Sequence, residues 1–209
     1  MRRQNYKVCL SLNRMKKGLV AADLFCGIGG LTRGLLNAGI KVKKGYDIDK
    51  RVRETYEKNN AGVKFHHKDV SSLSGKEILD GIDRKNNLFL LAGCAPCQPF
   101  SRINRRTPKK DKRKILLLQF GRLIEETKPD FIFMENVSGL KIGKGKKIFE
   151  RFLRILEKEK YFYVYDVLDV KEYGVPQKRK RLVLLASKHR EIKIPEPTHG
   201  PRSTDKKII

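Results

Sequence analysis

Short apolar runs recur along this chain, each stopped by glycine, proline or a carboxylate, and a stretch of different spacing separates each from the next. Residues 18–25, 42–46, 63–67, 88–92 and 131–134 have the length and bounding signals of buried strands. Between them Leu31, Leu35, Leu36 and Ile40 recur near helical spacing, and a charged segment opening at Asp47 is expected to run as a helix to Asn59. A further helix is expected around 76–80. Residues 115–127 are amphipathic, with Leu116, Phe120, Leu123 and Ile124 on one face. Phe149, Phe152, Leu153 and Leu156 mark the next helix, and 163–170 and 182–187 are the last strands. Strands alternating with helices predict an α/β fold with a mostly parallel, doubly wound sheet. The 209 residues suit one domain with a sizeable core.

In such a sheet the chemistry sits at the carboxyl ends of the strands. The 88–92 run ends there in Gly93-Cys94-Ala95-Pro96-Cys97-Gln98-Pro99-Phe100-Ser101. Pro96 and Pro99 bracket Cys97 and restrict the backbone around it. Three readings fit: two small inert thiols, a Cys-x-x-Cys redox pair, or a nucleophilic Cys97. A redox pair normally opens a helix, and Gln98-Pro99 follows here instead. The other candidate turn is Asp23-Leu24-Phe25-Cys26-Gly27-Ile28-Gly29-Gly30, set between a strand and a helix, where glycines let a backbone approach a ligand closely. Asp47 lies about twenty residues on, where a carboxylate can bond ribose hydroxyls. A dinucleotide fingerprint wants a third glycine where Thr32 stands, which argues against a nicotinamide cofactor. His66-His67 has no second ligand pair spaced to hold a metal, so no metal is expected.

Charge narrows the partner. The chain carries 48 Lys and Arg against 23 Asp and Glu, a net charge of +25. An excess of that size implies a polyanion, nucleic acid above all, although a lysine-rich solvated surface is compatible with it. Residues 102–114 hold eight basic residues and one acid directly after the Cys97 turn, and are expected to form a mobile loop that closes on phosphates. No apolar run is long enough to span a membrane, and none near the basic start is long enough for a secretory signal. Four cysteines without regular spacing suit reduced thiols and a cytoplasmic setting, beside nucleoid DNA.

Pro96-Cys97-Gln98-Pro99-Phe100-Ser101 resembles the active-site motif of the cytosine-C5 DNA methyltransferases. Four more segments resemble that family's motifs in its own order: the Asp23–Gly30 turn, Gly45-Tyr46-Asp47-Ile48-Asp49, Glu135-Asn136-Val137, and Gln177-Lys178-Arg179-Lys180-Arg181. The resemblance covers about residues 19–187 and implies a Rossmann-like core that uses S-adenosylmethionine. It implies Cys97 as nucleophile toward carbon 6 of a flipped cytosine, with Glu135 on ring nitrogen 3 and the exocyclic amine. Arg181 is expected near the base oxygen or the Cys97 loop, and Arg179 near phosphates or the same loop. For the cofactor it implies Phe25, Gly27, Ile28, Gly30, Asp47, Ile48, Asp69, Val70, Pro96 and Leu116. For double-stranded DNA it implies Ser101, Arg105, Arg106, Lys109 and Lys110. One branch of the family acts on tRNA, which stays open, as does a fragment that binds nucleic acid by charge alone.

Where the family has Gly-Pro-Pro-Cys or Gly-Phe-Pro-Cys, this chain has Cys94-Ala95-Pro96-Cys97. The resemblance further implies a division into a basic extension (1–18), a catalytic domain (19–187) and a tail (188–209) that enters a target-recognition domain. A second polypeptide is then expected to supply that domain and the last motifs, docking on an apolar patch over the first strands. The basic stretch yields a direct test. Neutralising Arg105, Arg106, Lys109 and Lys110 should weaken binding to all DNA sequences alike. It should also flatten the salt dependence by about one unit per lost phosphate contact, measured by titration at several salt concentrations.

Overall fold

The computed structural model describes residues 17–96, 115–200 and 203. Seven strands form one sheet in the order β3-β2-β1-β4-β5-β7-β6. In chain order they are β1 (Gly18–Leu24), β2 (Lys41–Asp47), β3 (Lys64–His67), β4 (Asn87–Gly93), β5 (Phe131–Val137), β6 (Phe162–Asp169) and β7 (Lys180–Ser187). The helices are α1 (Gly30–Asn37), α2 (Arg53–Asn59), α3 (Gly75–Leu79), α4 (Leu116–Thr127) and α5 (Lys146–Lys158). The first five strands run parallel, and β7 inserts antiparallel between β5 and β6. The expected mostly parallel α/β sheet is therefore present. Among the described residues no helix is long and apolar enough to cross a membrane.

Two cores flank the sheet. The larger lies under α3, α4 and α5, where Leu117, Phe120, Leu123 and Ile124 meet Phe149, Phe152 and Leu156 over Leu91, Ile132 and Met134. The smaller lies under α1 and α2, where Leu35 and Tyr56 cover Ala21, Val42 and Phe65. The α4 stripe is the expected one at Phe120, Leu123 and Ile124, but its first buried member is Leu117 and not Leu116, which is half-buried. The charged helix also starts later than its sequence suggests. Asp49 caps a short 3-10 turn at Lys50–Val52, accepting from the Arg51 N–H, and α2 begins only at Arg53.

Tyr56 locks the smaller core to the strands. Its hydroxyl pairs with Thr32 Oγ1 at 2.9 Å, and Thr32 donates to Asp23 Oδ2 at 2.7 Å, so one buried chain of bonds joins α2, α1 and β1. Thr32 stands where a nicotinamide-type turn has its third glycine, and here that place holds a tie rather than a close approach. The Tyr56 ring fills the space over Gly45, where an added Cβ would overlap its hydroxyl and ring carbons. Gly45→Ala should therefore destabilise the fold by about 1–3 kcal/mol through overpacking, read from urea unfolding midpoints.

Candidate active site

The carboxyl ends of the parallel strands are stitched together beyond the sheet. Lys68 N–H donates to the Asp47 carbonyl (2.9 Å), Cys26 N–H to the Tyr46 carbonyl (3.0 Å), and Cys94 N–H to the Leu24 carbonyl (3.2 Å). Asn136, buried near the end of β5, donates from Nδ2 to the Ala95 carbonyl at 3.1 Å. The row continues the sheet's ladder by one step, so the turns after β1, β2, β3 and β4 share one frame. Motif reading alone gives Asn136 no role of its own. Its burial after a run of apolar residues was the available signal, since a buried amide needs a partner.

The turn after β1 is built for close approach. Phe25 takes φ 58°, uncommon for a residue with a Cβ, and Gly27 and Gly29 follow at 50° and 91°. Gly29 is packed against Asn60 and Tyr56, whereas Cβ atoms at Gly27 and Gly30 would meet no atom within 4 Å. The Asp47 carboxylate pins the turn, with Oδ2 accepting from Gly27 N–H at 2.8 Å and Oδ1 from Asp49 N–H at 2.9 Å. Beside it Ile28 and Ile48 stand 60% and 64% exposed, large apolar side chains left in the open next to a carboxylate. Open room at two glycines, flanking apolar groups and a fixed carboxylate fit a ligand with a ribose and an aromatic base. Asp69 is half-buried and caps the next turn by accepting from Ser71 N–H at 2.8 Å. Val70 is buried in the larger core rather than open to that space.

On the far side of the Cys94 turn stands an acid–base pair. Glu135 lies within β5 rather than at its end, opposite Val183, and β7 brings Arg181 opposite Val137. Arg181 Nε reaches Glu135 Oε1 at 2.8 Å, and Arg179 lies 4.0 Å from the same oxygen. Both members of the closer pair are about a quarter exposed, 23% for Arg181 and 26% for Glu135. Such a pair keeps a carboxyl oriented while leaving it within reach. Burial, then the charges of Asp23 and Glu135, push the Cys94 thiol well above the ordinary range. A thiol held protonated in this way is a weak nucleophile, unlike the thiolate that redox exchange needs. Cys97, Ser101, Arg105, Arg106, Lys109 and Lys110 fall outside the described residues.

A cleft of about 1060 Å³ lies along β3, lined by Lys44, Lys64, Lys76 and His66, across β2 and β1 from the Cys94 turn. It is not where these carboxyl ends converge. His66 within it is half-buried and stacks on Tyr46 at 4.9 Å. Among the described residues no group of His, Cys, Asp and Glu could hold a metal ion.

A sheet in this order, five strands parallel and β7 antiparallel, with a glycine turn after β1 and a carboxylate at the end of β2, is the fold of S-adenosylmethionine-dependent methyltransferases. The sequence profile of the C-5 cytosine-specific DNA methylase family matches residues 19–208, and the chain belongs to that family. It is 41% identical over 181 residues to the Type II methylase M.HgiDII of Herpetosiphon aurantiacus, covering 87% of this chain and 50% of that one. It is 31% identical over 204 residues to the Type II methyltransferase M.AquIA of Picosynechococcus, covering 93% of this chain and 82% of that one. A crystal structure of a putative DNA modification methyltransferase encoded within a prophage of E. coli superposes with a TM-score of 0.69 at 30% identity. That match covers 81% of this chain and 47% of the other. The chain thus spans about half the length of several relatives it matches.

The buried tie behind the glycine turn titrates. Asp23 is fully buried, and loss of hydration raises its carboxyl to about 7, against a partial pull downward from its Thr32 bonds. A folded-state value raised above the unfolded 3.8 means that the native protein prefers the protonated acid. Stability is then greatest below about pH 4 as far as this group is concerned, and it falls as pH rises toward 7. The slope from one such group cannot exceed about 1.4 kcal/mol per pH unit. Asp23→Asn should remove this component between pH 4 and 7, and unchanged pH dependence of unfolding in the variant would contradict the assignment.

Proposed function

We propose that this protein transfers a methyl group from S-adenosylmethionine to carbon 5 of cytosine in DNA, through a covalent adduct of Cys97 with a flipped-out base. The observation that supports it most is the Arg181–Glu135 pair, set on β5 and β7 next to the strand end that carries the cysteine turn. Carbon 5 is a weak nucleophile. Addition of the Cys97 thiolate to carbon 6 breaks the 5,6 double bond and delivers its electrons toward carbon 5. Glu135 accepts from the exocyclic amine with one oxygen and shares a proton with ring nitrogen 3 through the other, relieving the charge that builds on the ring. Arg181 keeps that carboxyl turned toward the base, and Arg179 adds positive charge beside it. S-adenosylmethionine, when bound, supplies the methyl group. Loss of the proton from carbon 5 and expulsion of the Cys97 thiolate restore the aromatic ring.

For the cofactor, Asp47 takes the ribose hydroxyls, while Phe25, Ile28 and Ile48 bracket the adenine. Gly27 and Gly30 leave the room, Asp69 faces the adenine amine, and Pro96 and Leu116 close the floor. The relatives are Type II enzymes, which supports a restriction–modification setting and a cytoplasmic reaction on chromosomal DNA. Ser101, Arg105, Arg106, Lys109 and Lys110 are the proposed phosphate contacts.

We also propose a second polypeptide that carries the target-reading part. Two observations support it. This stretch accounts for 82% of M.AquIA, a relative named as a methyltransferase. And one face of β5, β7 and β6 is apolar but covered by no described helix: Phe131, Phe133, Leu185 and Val164 are half-buried there, and Phe162 is 48% exposed. The patch expected over the first strands is thus displaced, because α1 already covers β1 and β2. The test is adduct formation on 5-fluorocytosine DNA with cofactor, by the chain alone and with the product of the adjacent reading frame. An adduct is expected that Cys97→Ala abolishes, strongest with the second protein present and not competed by RNA. An adduct that survives in Cys97→Ala, or that maps to Cys94, would overturn the mechanism.

A further inference from the structure

The loop that delivers the arginines has little of its own to hold it. Residues 174–180 are all exposed, and Lys178, Arg179, Lys180 and Arg181 follow one another with mutual repulsion. Within the loop Gln177 N–H reaches the Val175 carbonyl at 2.7 Å, and Val170 N–H reaches the Arg179 carbonyl at 2.9 Å. Yet the start of the loop is gripped from outside. The N–H groups of Thr198 and His199 both donate to the Glu172 carbonyl at 2.9 Å, and the Tyr173 hydroxyl donates to the Pro195 carbonyl at 3.0 Å. Gly174, at φ +84°, sits directly beneath the His199 ring: a Cβ there would lie 2.9 Å from Cε1 and 3.3 Å from Nδ1. Nδ1 in turn pairs with Thr198 Oγ1 at 2.9 Å, which fixes the ring's plane. Glu172 is buried beneath this arrangement although its neighbours in the loop are not.

We infer that residues 195–200 are a positioning strap, and that His199 seated on Gly174 sets where Arg179 and Arg181 stand relative to Glu135. The strap crosses the turn Val170–Tyr173 just before the chain enters the loop, so its hold sets how the loop leaves β6 and approaches Arg179, while β5 and β6 pair with β7 from Lys180 onward. A shift at Gly174 propagates along six residues of exposed chain to Lys180, and the Arg181 Nε contact with Glu135 at 2.8 Å has no slack for it. The left-handed backbone at Gly174 leaves the space that the ring occupies, and any side chain there would expel it. The catalytic consequence rests on the function proposed above. The strap itself does not.

The test uses the full chain and two independent readouts. In His199→Ala, amide exchange across 174–181 should accelerate about tenfold or more while β1 and β4 keep wild-type protection. Tryptic cleavage after Lys178 and Arg179 should accelerate with it. In the methyl-transfer assay kcat should fall about 10- to 100-fold with KM for S-adenosylmethionine unchanged, as displacement of an orienting group predicts. His199→Phe, which keeps a ring over Gly174, should recover most of that loss. Tyr173→Phe, which removes the hydroxyl bonded to the Pro195 carbonyl, should show the same local loosening to a smaller degree. Unchanged exchange at 174–181 in both His199→Ala and Tyr173→Phe would overturn the strap. So would a uniform rise in exchange across the whole sheet, which would make His199 a stability residue only. If the wild-type protein shows no methyl transfer while His199→Ala still loosens 174–181 alone, the strap stands and the proposed reaction fails.

Discussion

The buried bond between Thr32 and Tyr56, with Asp23 behind it, is the constraint from which the cofactor side of the protein follows. It draws α1 and α2 onto β1 and β2 so closely that Gly45 and Gly29 cannot carry side chains. With Gly29 held in, the turn must bulge at Gly27 and Gly30, and that bulge is the open side of the site. Burying a carboxylate there is costly, and among the described residues Asp23 Oδ1 finds no partner. The cost is partly offset by the proton the acid holds near neutrality. A fully satisfied apolar pair would be more stable but would not tie three elements at one defined point.

The chemical side is held differently. There the fixing elements are antiparallel: β7 returns against β5 and brings an arginine from the end of the chain's fold to a glutamate near its middle. Asn136, next to Glu135, reaches the other way to the Ala95 carbonyl. Neighbouring residues of one strand therefore face opposite layers, Glu135 toward Arg181 and Asn136 toward the Cys94 turn. The alternation of a β-strand does this without a loop, and so with little freedom. It explains why a carboxylate inside a strand, rather than beyond its end, can act at a carboxyl edge.

Charge and apolar surface divide the rest of the labour. A net +25 suits a polyanion, and Lys44, Lys64 and Lys76 along the β3 cleft show that part of the basic surface lies away from the Cys94 turn. The face of β5, β7 and β6 that no described helix covers is a different kind of surface, with the apolar row Phe133, Leu185 and Val164 crossing all three strands. Open sheets of this type normally carry helices on both faces.

The sequence alone determined the order of strands and helices, the two turns that matter and the identity of the charged residues beside them. Local signals suffice for these: apolar runs, glycine clusters, prolines around Cys97 and a glutamate closing a buried strand. It misplaced the start of α2, because an aspartate that could begin a helix instead used its carboxylate to hold the Gly27 turn. It also put Leu116 on the buried face, since periodicity defines a stripe only to within a residue until a partner helix chooses. What tertiary structure decided was pairing across distance. No spacing rule announces that Arg181 will meet Glu135, that Asn136 will hold Ala95, or that His199 will cover Gly174. Those contacts depend on which strands become neighbours and in what register, and only the closed sheet settles that.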